Sequence, residues 1–267
     1  MSFIIRDAQS SDAEFIARTV LSGVGYSAFD EDAQNQEIDL SVATVPMSAA
    51  VEAFAAICRR EDTLYSYTRT RIACVDGRSA GALISYPGED NAALRTFTWN
   101  LLNGASHRSA PLPGDVSPRP PRSLRSLDAP GEQTAVAELV EVPGSAVVEP
   151  VETPAEPSPK VISTSSMTAN TFSKVEPECE AGEYYLDSLA VHPDFRGHLF
   201  DYEGVQEKLG HILLLDGIRL GQALGYTRTS LIVDVDRPRL KHYYSQLGFR
   251  PVRDILFFGH HYTRMVR

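Results

Sequence analysis

Hydrophobic and polar residues follow two different periods along the first hundred positions of the chain, which predicts strands and helices in succession. The segment FIIRDA (residues 3–8) is a short apolar run typical of a strand. Apolar residues then recur at helical spacing in residues 12–23, behind Ser10 or Ser11 as the cap. A second helical pattern covers residues 47–59. We therefore expect a strand followed by two amphipathic helices.

A hairpin and a third helix complete this first part of the pattern. Two apolar runs in residues 70–86 flank Asp76-Gly77, a dipeptide that favours the tight turn of a β-hairpin. Residues 89–102 begin with acidic side chains and carry an apolar stripe, which is typical of a helix.

The composition changes between about residue 105 and residue 177. This segment is rich in Pro, Ser, Glu and Ala and nearly lacks aromatic residues. Such a segment cannot bury enough apolar surface to offset the entropy lost on ordering. We expect a disordered insertion at 105–177, and a single domain made of residues 1–104 and 178–267.

Strand and helix patterns resume after the insertion. The predicted order is a strand at 183–191, a helix at 209–226, a strand at 229–236, a short helix at 237–249 and a last strand at 255–266. This alternation predicts an α/β or α+β fold, with a central sheet flanked by helices.

Charge and composition narrow the classes of partner. The formal net charge of −10 and the pI near 5.2 disfavour nucleic acid and anionic membranes, because both attract clustered Lys and Arg. No apolar run approaches the roughly 18 residues that span a bilayer, and the first residues lack a secretion signal, so we expect a cytoplasmic protein. The 3 cysteines lie far apart, which favours reduced thiols and predicts no metal site.

The junction between the strand at 183–191 and the helix at 209–226 carries the most informative pattern. A helix N-terminus presents unpaired backbone N–H groups and positive dipole charge, which suit a phosphate group. Glycines let the backbone approach such an anion, and Arg196 would add a charge-assisted contact. Many helices follow strands for packing reasons alone, so this junction by itself leaves a structural interpretation open.

Three segments together resemble the GCN5-related N-acetyltransferases (GNAT family): LDSLAVHPDFRG, LLLDGIRLGQALGY and LIVDVDRPRLKHYYSQLGF. The resemblance covers residues 1–104 and 178–267. It implies a GNAT-like mixed, partly open central sheet flanked by helices, with acetyl-CoA held between two splayed central strands. The implied activity is transfer of an acetyl group from acetyl-CoA to a primary amine of a small molecule or a protein, by direct attack and without a metal.

The resemblance also implies how the cosubstrate is held. The backbone of the strand would bind the pantetheine arm, with one N–H polarising the thioester carbonyl, and the following loop and helix would hold the pyrophosphate. In place of an Asn that helps to hold the cofactor in many members, this chain has an Arg before its last helix. The matching cofactor-binding positions are Leu189, Ala190, Val191, Arg196, Gly197, Gly210, His211 and Arg237.

Tyr244 falls where many members of the family keep a tyrosine that protonates the departing thiolate of CoA. The resemblance therefore implies that Tyr244 is the general acid. Its helical spacing with Leu240 and Leu247 leaves open a tyrosine that only packs in the core.

The general base is less clearly indicated. Many members use a glutamate on the strand, but the matching position here is Tyr185. Glu183 and Asp187 lie two residues to either side and share its face of the strand, so either carboxylate could act through water. The alternative is that both carboxylates are solvated or paired with arginine.

The chain departs from the family pattern between Arg196-Gly197 and Gly210. The residues LFDYEGVQEK interrupt the loop, and Asp201, Glu203 and Glu207 among them add negative charge beside the expected pyrophosphate. We expect weaker cosubstrate binding unless this stretch folds away from the site.

Two functions therefore remain open. The first is an N-acetyltransferase, and the second is a catalytically weakened or inactive GNAT-like module that senses CoA or binds a partner. The sequence leaves the acceptor amine undetermined, and it also leaves the oligomeric state open, including a homodimer.

Overall fold

The computed structural model describes residues 2–39, 44–102, 176–257 and 260–267, all of which lie in one compact unit. Most of the predicted insertion at 105–177 lies outside these ranges, so its disorder and the proposed domain boundaries stay predictions. Within the described ranges, none of the helices has the length and apolar character needed to cross a membrane.

The described part of the chain alternates strands and helices. The strands are β1 (Phe3–Asp7), β2 (Glu37–Asp39), β3 (Thr44–Pro46), β4 (Thr70–Val75), β5 (Arg78–Pro87), β6 (Glu183–Val191), β7 (Leu199–Tyr202), β8 (Val205–Lys208), β9 (Arg228–Asp234), β10 (Arg250–Phe257) and β11 (His260–Val266). The helices are α1 (Ala13–Gly23), α2 (Met47–Cys58), α3 (Asn91–Leu102), α4 (Leu209–Ala223) and α5 (Pro238–Gln246).

A seven-stranded sheet organises the described residues, in the order β1-β4-β5-β6-β9-β11-β10. Neighbouring strands are antiparallel except β6 and β9, which are parallel. This confirms the predicted mixed sheet flanked by helices. The single last strand predicted at 255–266 is wrong, because the chain there forms two antiparallel strands, β10 and β11.

Helices cover both faces of the sheet. One apolar cluster joins α1 and α2 to the face that carries Ile84 and Tyr86. A second cluster joins α4 to the face that carries Leu83 and Leu186. The approach of α4 is close, because a Cβ added at Gly217 would lie only 2.4 Å from the Leu83 side chain. Glycine therefore lets α4 lie directly on the centre of the sheet.

The sheet is open at its centre. β6 and β9 pair only where Glu183–Tyr185 face Arg228–Ser230, and beyond this point each strand continues with a neighbour on one side. The two strands therefore enclose a gap between the second half of β6 and the second half of β9. This confirms the partly open sheet that the resemblance implied.

A β-bulge interrupts β6 at the start of this gap. Ile84 pairs with Ser188 and Ser85 pairs with Leu186, so Asp187 is an extra residue without a register partner in β5. A bulge bends its strand and redirects a side chain. The carboxylate of Asp187 thereby reaches the Tyr86 hydroxyl on the face covered by α1 and α2.

The residues that interrupt the predicted phosphate loop form a β-hairpin. β7 and β8 are antiparallel, with Leu199 opposite Lys208. At the turn, Glu203 and Gly204 have φ values of 56° and 84°, as the favoured two-residue hairpin turns require. The Phe200 ring is only 2% exposed and lies 5.5 Å from the Phe3 ring. The β7–β8 hairpin is therefore packed against β1 through its Phe200 side chain.

We expect Phe200→Ala to lower the free energy of unfolding by about 3–5 kcal/mol, because it removes a buried aromatic ring and leaves a cavity. Urea denaturation measures the change. Leu199→Ala is the matched control, since Leu199 is the adjacent hairpin residue and is 56% exposed; it should change the stability by less than about 0.5 kcal/mol. Equal small effects would show that the hairpin does not pack on the sheet.

Candidate active site

Pairing with β5 determines which backbone groups of β6 face the central gap. The N–H of His192 donates to the C=O of Ala80 at 2.8 Å, on either side of the register pair Val191 and Gly81. Val191 and Gly81 therefore form a non-hydrogen-bonded pair of the antiparallel ladder. Hydrogen-bonded and non-hydrogen-bonded pairs alternate along an antiparallel ladder, so Leu189 and Leu83 form the next non-hydrogen-bonded pair. The backbone N–H and C=O groups of Leu189 and Val191 consequently point away from β5, toward the gap.

Ala190, the residue between them, faces the other way. It belongs to a mutually bonded pair with Ala82, so its N–H and C=O point toward β5. The C=O of Val191 accepts a hydrogen bond from Arg196 Nε at 3.0 Å. Within the described ranges, no protein group accepts from the N–H of Leu189 or Val191. Two backbone donors thus remain free along the gap.

The N-terminus of α4 lies over the same end of β6. A Cβ added at Gly210 would lie 3.6 Å from the side chains of both Leu189 and Val191. Lys208, the residue before the helix, has extended backbone angles and its side chain makes no cap bond. The cap residue therefore gives the first N–H groups of α4 no side-chain acceptor, and a helix N-terminus of this kind favours an anion.

The hairpin returns the chain to the point where it left. The pairing of Leu199 with Lys208 closes its base. Arg196, before the hairpin, bonds to Val191, and Gly210, after it, packs on Val191. The two ends of the interrupted loop therefore still meet beside β6.

The acidic residues of the interruption are held in different places. Glu203 pairs with Arg219 of α4 at 2.6 Å, and Asp201 bonds within the turn of the hairpin. Glu207 instead lies 3.0 Å from His211 Nδ1, in the first turn of α4. Of these three carboxylates, Glu207 is the one whose partner stands at the expected pyrophosphate position.

A cleft of about 180 Å³ is lined by residues from the segments that follow α1, β6 and β9. Arg196 follows β6 and Arg237 precedes α5, and both side chains line this cleft together with Tyr26 and Phe29 from the segment after α1. The structure thus brings together two arginines that are distant in sequence. Guanidinium groups are suited to phosphate or carboxylate, although Asp30 lines the same cleft.

Tyr244 lies in α5 with its ring against Tyr243 and Phe249, at centroid distances of 5.6 and 6.0 Å. Burial raises the pKa of Tyr244 to about 12, against the opposing charge of Arg237. Its hydroxyl has no hydrogen-bond partner in the described part of the chain. The phenol therefore stays protonated at neutral pH and has a proton to donate.

Glu183 lies at the closed end of the gap and is 0% exposed. Its carboxylate accepts from Arg264 at 2.5 Å, pairs with Arg228 at 2.6 Å and accepts from the backbone N–H of Glu180. Burial alone would raise the pKa of Glu183, but the bonds from Arg264 and from the Glu180 N–H outweigh it and lower the pKa. Glu183 therefore has the arginine-paired environment that the sequence left as the alternative.

Asp187 has a different environment, although it shares the strand. The residue is partly exposed, and its carboxylate accepts from the Tyr86 hydroxyl and, at 2.7 Å, from Ser188 Oγ. Burial of the carboxylate raises the pKa of Asp187 against these two bonds. A carboxylate with a raised pKa, at the point where β6 and β9 separate, is suited to accept a proton.

Four polar residues near Asp187 were not singled out from the sequence: Tyr86, Asn91, Arg95 and Glu178. All are buried and hydrogen-bonded to one another. Asn91 and Arg95 lie one turn apart on α3, which is a weak signal of a shared face. The sequence offers no comparable signal for Glu178, which follows the Pro-rich segment. In the described ranges, no group of three His, Cys, Asp or Glu side chains is placed to hold a metal ion.

Comparison with known proteins agrees with this architecture. No protein-family model matches the sequence, and no curated protein matches it. Among solved structures, an N-acetyltransferase from Staphylococcus aureus Mu50 is 17% identical with a TM-score of 0.56, over 99% of this chain and 100% of that chain. An acetyltransferase is 20% identical with a TM-score of 0.53, over 99% and 98%. The protein SsHAT is 15% identical with a TM-score of 0.51, over 100% and 98%.

These similarities, together with the open sheet, define the class of fold. The chain has the fold of the GNAT acetyltransferases. At identities of 15–20% the likeness concerns the fold, and the activity has to be argued from the site itself.

Proposed function

We propose that this protein is an N-acetyltransferase that moves the acetyl group of acetyl-CoA to a primary amine of a small molecule or a protein. The observation that carries the proposal is the gap between β6 and β9. Within the part of the chain that the structure describes, two backbone donors without an acceptor line this gap, and a helix N-terminus whose cap side chain makes no bond lies at its end. This arrangement fits a thioester arm that continues into a pyrophosphate.

The residues present fit acetyl-CoA as the cosubstrate. The N–H groups of Leu189 and Val191 would bind the pantetheine arm and the carbonyl, with Ala190 as the residue that spaces them. Arg196 and Arg237 would supply positive charge from the shared cleft. The other proposed contacts to the pyrophosphate come from the backbone of the loop and of the first turn of α4: Gly197, Gly210 and His211.

Acetyl-CoA supplies an acyl group that is activated toward attack by an amine. Asp187 removes a proton from the acceptor ammonium, directly or through one water, and so makes the amine nucleophilic. As the amine nitrogen bonds to the acyl carbon and the carbon–sulfur bond breaks, Tyr244 donates its proton to the sulfur. The nitrogen then loses its second proton, which restores the Tyr244 phenol through water, and the proton held by Asp187 passes to solvent. Of the two candidate carboxylates we choose Asp187, because Glu183 is saturated by Arg264 and Arg228.

The proposed base and acid belong to opposite faces of the sheet. Asp187 bonds to Tyr86 in the cluster under α1 and α2, whereas Tyr244 packs with the cluster under α4. The gap between β6 and β9 joins these faces. A thioester lying in the gap would therefore meet the amine and its base from one side and the proton donor from the other.

A second candidate function is a CoA-sensing or interaction module without catalysis. The observation that favours it is local: Glu207 brings negative charge to the first turn of α4, and Arg196 already occupies the C=O of Val191. Against it, the rest of the hairpin is anchored on β1 and away from the gap.

Titration calorimetry with acetyl-CoA tests both functions. We expect binding to the wild type, and a loss of roughly tenfold to a hundredfold in affinity for Arg196→Ala, since a charge-assisted contact contributes about 1.5–3 kcal/mol. Arg219→Ala is the matched control, because Arg219 pairs with Glu203 on the hairpin. No detectable binding at millimolar acetyl-CoA would defeat the enzyme and a CoA-sensing role, and would leave only an interaction module.

Release of the CoA thiol then separates the two functions. With acetyl-CoA and a panel of primary alkylamines and lysine peptides, the enzyme should release thiol in an amine-dependent way. Binding of acetyl-CoA without amine-dependent release across the panel would favour the sensing module.

A further inference from the structure

A buried chain of hydrogen bonds leads away from Asp187 on the face under α1 and α2. The Tyr86 hydroxyl donates to the carboxylate of Asp187, and Asn91 Nδ2 donates to the Tyr86 oxygen at 3.1 Å. Arg95 Nη2 in turn donates to Asn91 Oδ1 at 2.5 Å. Every donor points in the same direction, so the dipoles of this chain are aligned from the guanidinium to the carboxylate.

The same guanidinium serves a second carboxylate. Arg95 Nη2 also donates to Glu178 Oε1, and the Tyr185 hydroxyl donates to Glu178 Oε2 at 2.7 Å. Both Arg95 and Glu178 are buried. Arg95 thus lies between Glu178, which it contacts directly, and Asp187, which it reaches through Asn91 and Tyr86.

The charges in this cluster do not balance. Two carboxylates, Asp187 and Glu178, face one guanidinium, that of Arg95. Among the described residues, the other titratable groups that interact with these carboxylates are neutral at pH 7: Tyr65, Tyr86, Cys179, Tyr185 and Tyr262. In a buried site one positive charge cannot fully stabilise two negative charges. The state of one carboxylate must therefore affect the other.

We propose that Glu178 is a positioning residue for acetyl transfer, which acts on Asp187 through Arg95, Asn91 and Tyr86. This inference rests on the proposed function, in which Asp187 is the base. When Glu178 is ionised it neutralises Arg95, so the Asn91–Tyr86 chain holds the Asp187 anion weakly and Asp187 is a stronger base. When Glu178 is neutral, the charge of Arg95 polarises the chain toward Asp187 and weakens it as a base.

Glu178 changes its ionisation state near neutral pH. Burial raises the pKa of Glu178 to about 7, with Arg95 opposing and Asp187 adding to the effect. Because this pKa is raised above that of the unfolded chain, the contribution of Glu178 to stability is present at acid pH and is lost as the pH rises toward 7. The same rise in pH should strengthen Asp187 as a base.

The direct test is an NMR titration of the Asp187 carboxyl carbon, which needs neither acetyl-CoA nor an amine. Glu178→Gln should lower the pKa of Asp187 by about one pH unit, because the charge of Arg95 is no longer neutralised. Glu180→Gln is the matched control, since Glu180 pairs with Arg264 and Arg228 instead. An unchanged Asp187 titration in folded Glu178→Gln would overturn the inference.

A second variant covers the case in which Glu178→Gln does not fold. Tyr185→Phe keeps the charge of Glu178 but removes one hydrogen bond to its anion, so the pH at which Glu178 affects Asp187 should move upward. Tyr184→Phe is its control, since Tyr184 bonds to Ser85 and packs with the opposite cluster. Identical Asp187 titrations in the two phenylalanine variants would contradict the proposed connection.

Kinetics separate this inference from the proposed function. If the wild type turns over, its kcat/KM should rise near pH 7, and Glu178→Gln should abolish this rise and lower kcat/KM at pH 8 by about tenfold. An unaltered profile in that variant overturns the role of Glu178 alone. A wild type that neither binds acetyl-CoA nor transfers acetyl overturns the proposed function, and with it the role of Glu178 in catalysis.

Discussion

Tyr244→Phe is expected to lower kcat by roughly 10²–10⁴-fold while leaving the affinity for acetyl-CoA nearly unchanged. The substitution removes one hydroxyl from a ring that stays packed against Tyr243 and Phe249. A loss of this size is typical when a positioned proton donor is removed. Steady-state kinetics together with acetyl-CoA calorimetry measure the two effects separately.

Tyr243→Phe is the matched control for this experiment. Tyr243 is the neighbouring residue of α5, and its ring lies 6.0 Å from the ring of His211. We expect removal of the Tyr243 hydroxyl to change the affinity for acetyl-CoA more than it changes kcat. Unchanged turnover in Tyr244→Phe across the pH range would show that Tyr244 only packs in the core.

Glu183→Gln is expected to lower the free energy of unfolding by about 3–5 kcal/mol, because it removes the buried carboxylate closest to the buried guanidinium of Arg264. Arg264 is buried in β11, and Glu183 joins it to β6 across the closed end of the gap. Denaturant unfolding at pH 7 measures the loss. We expect Glu183→Gln to lower the stability of the fold that positions the site, and not to change the acetyl-transfer step directly.

The control for Glu183 is Glu180, which pairs with the same two arginines but is 48% exposed. Glu180→Gln should cost less than about 1 kcal/mol, as is usual for exposed ion pairs. The pKa of Glu183 is lowered, so its contribution to stability is present above the pKa of an unfolded Glu and is lost as the pH falls. A stable Glu183→Gln protein with greatly reduced turnover would instead make Glu183 the base.

Local signals in the sequence predicted much of the fold. The Asp76-Gly77 turn predicted the β4–β5 hairpin, and both residues indeed have positive φ, of 46° and 81°. The Glu203-Gly204 turn carries a similar local signal. Because it lies inside a pattern that otherwise predicts a phosphate-binding loop, the sequence does not indicate its hairpin. The small hairpin of β2 and β3 was not predicted, since its strands are too short to show a period.

The candidate site was predicted less completely. The resemblance indicated which strand, loop and helix surround the cosubstrate, because these depend on residues that are close in sequence. It did not separate Glu183 from Asp187, which occupy equivalent positions in the alternating pattern of β6. Their partners come from β11 and β9 in one case and from β5 in the other.

By itself, the sequence determined most of the succession of strands and helices, the helix N-terminus beside Arg196 and the likeness to an acetyltransferase fold. These follow from periodicity and short motifs, which act over a few residues. Only the tertiary structure decided that the β7–β8 hairpin packs on β1, that Glu183 pairs with two arginines, and that a chain of hydrogen bonds joins Asp187 to Glu178. Each of these depends on strand register, a bulge or a buried charge, and therefore on groups brought together from distant parts of the chain.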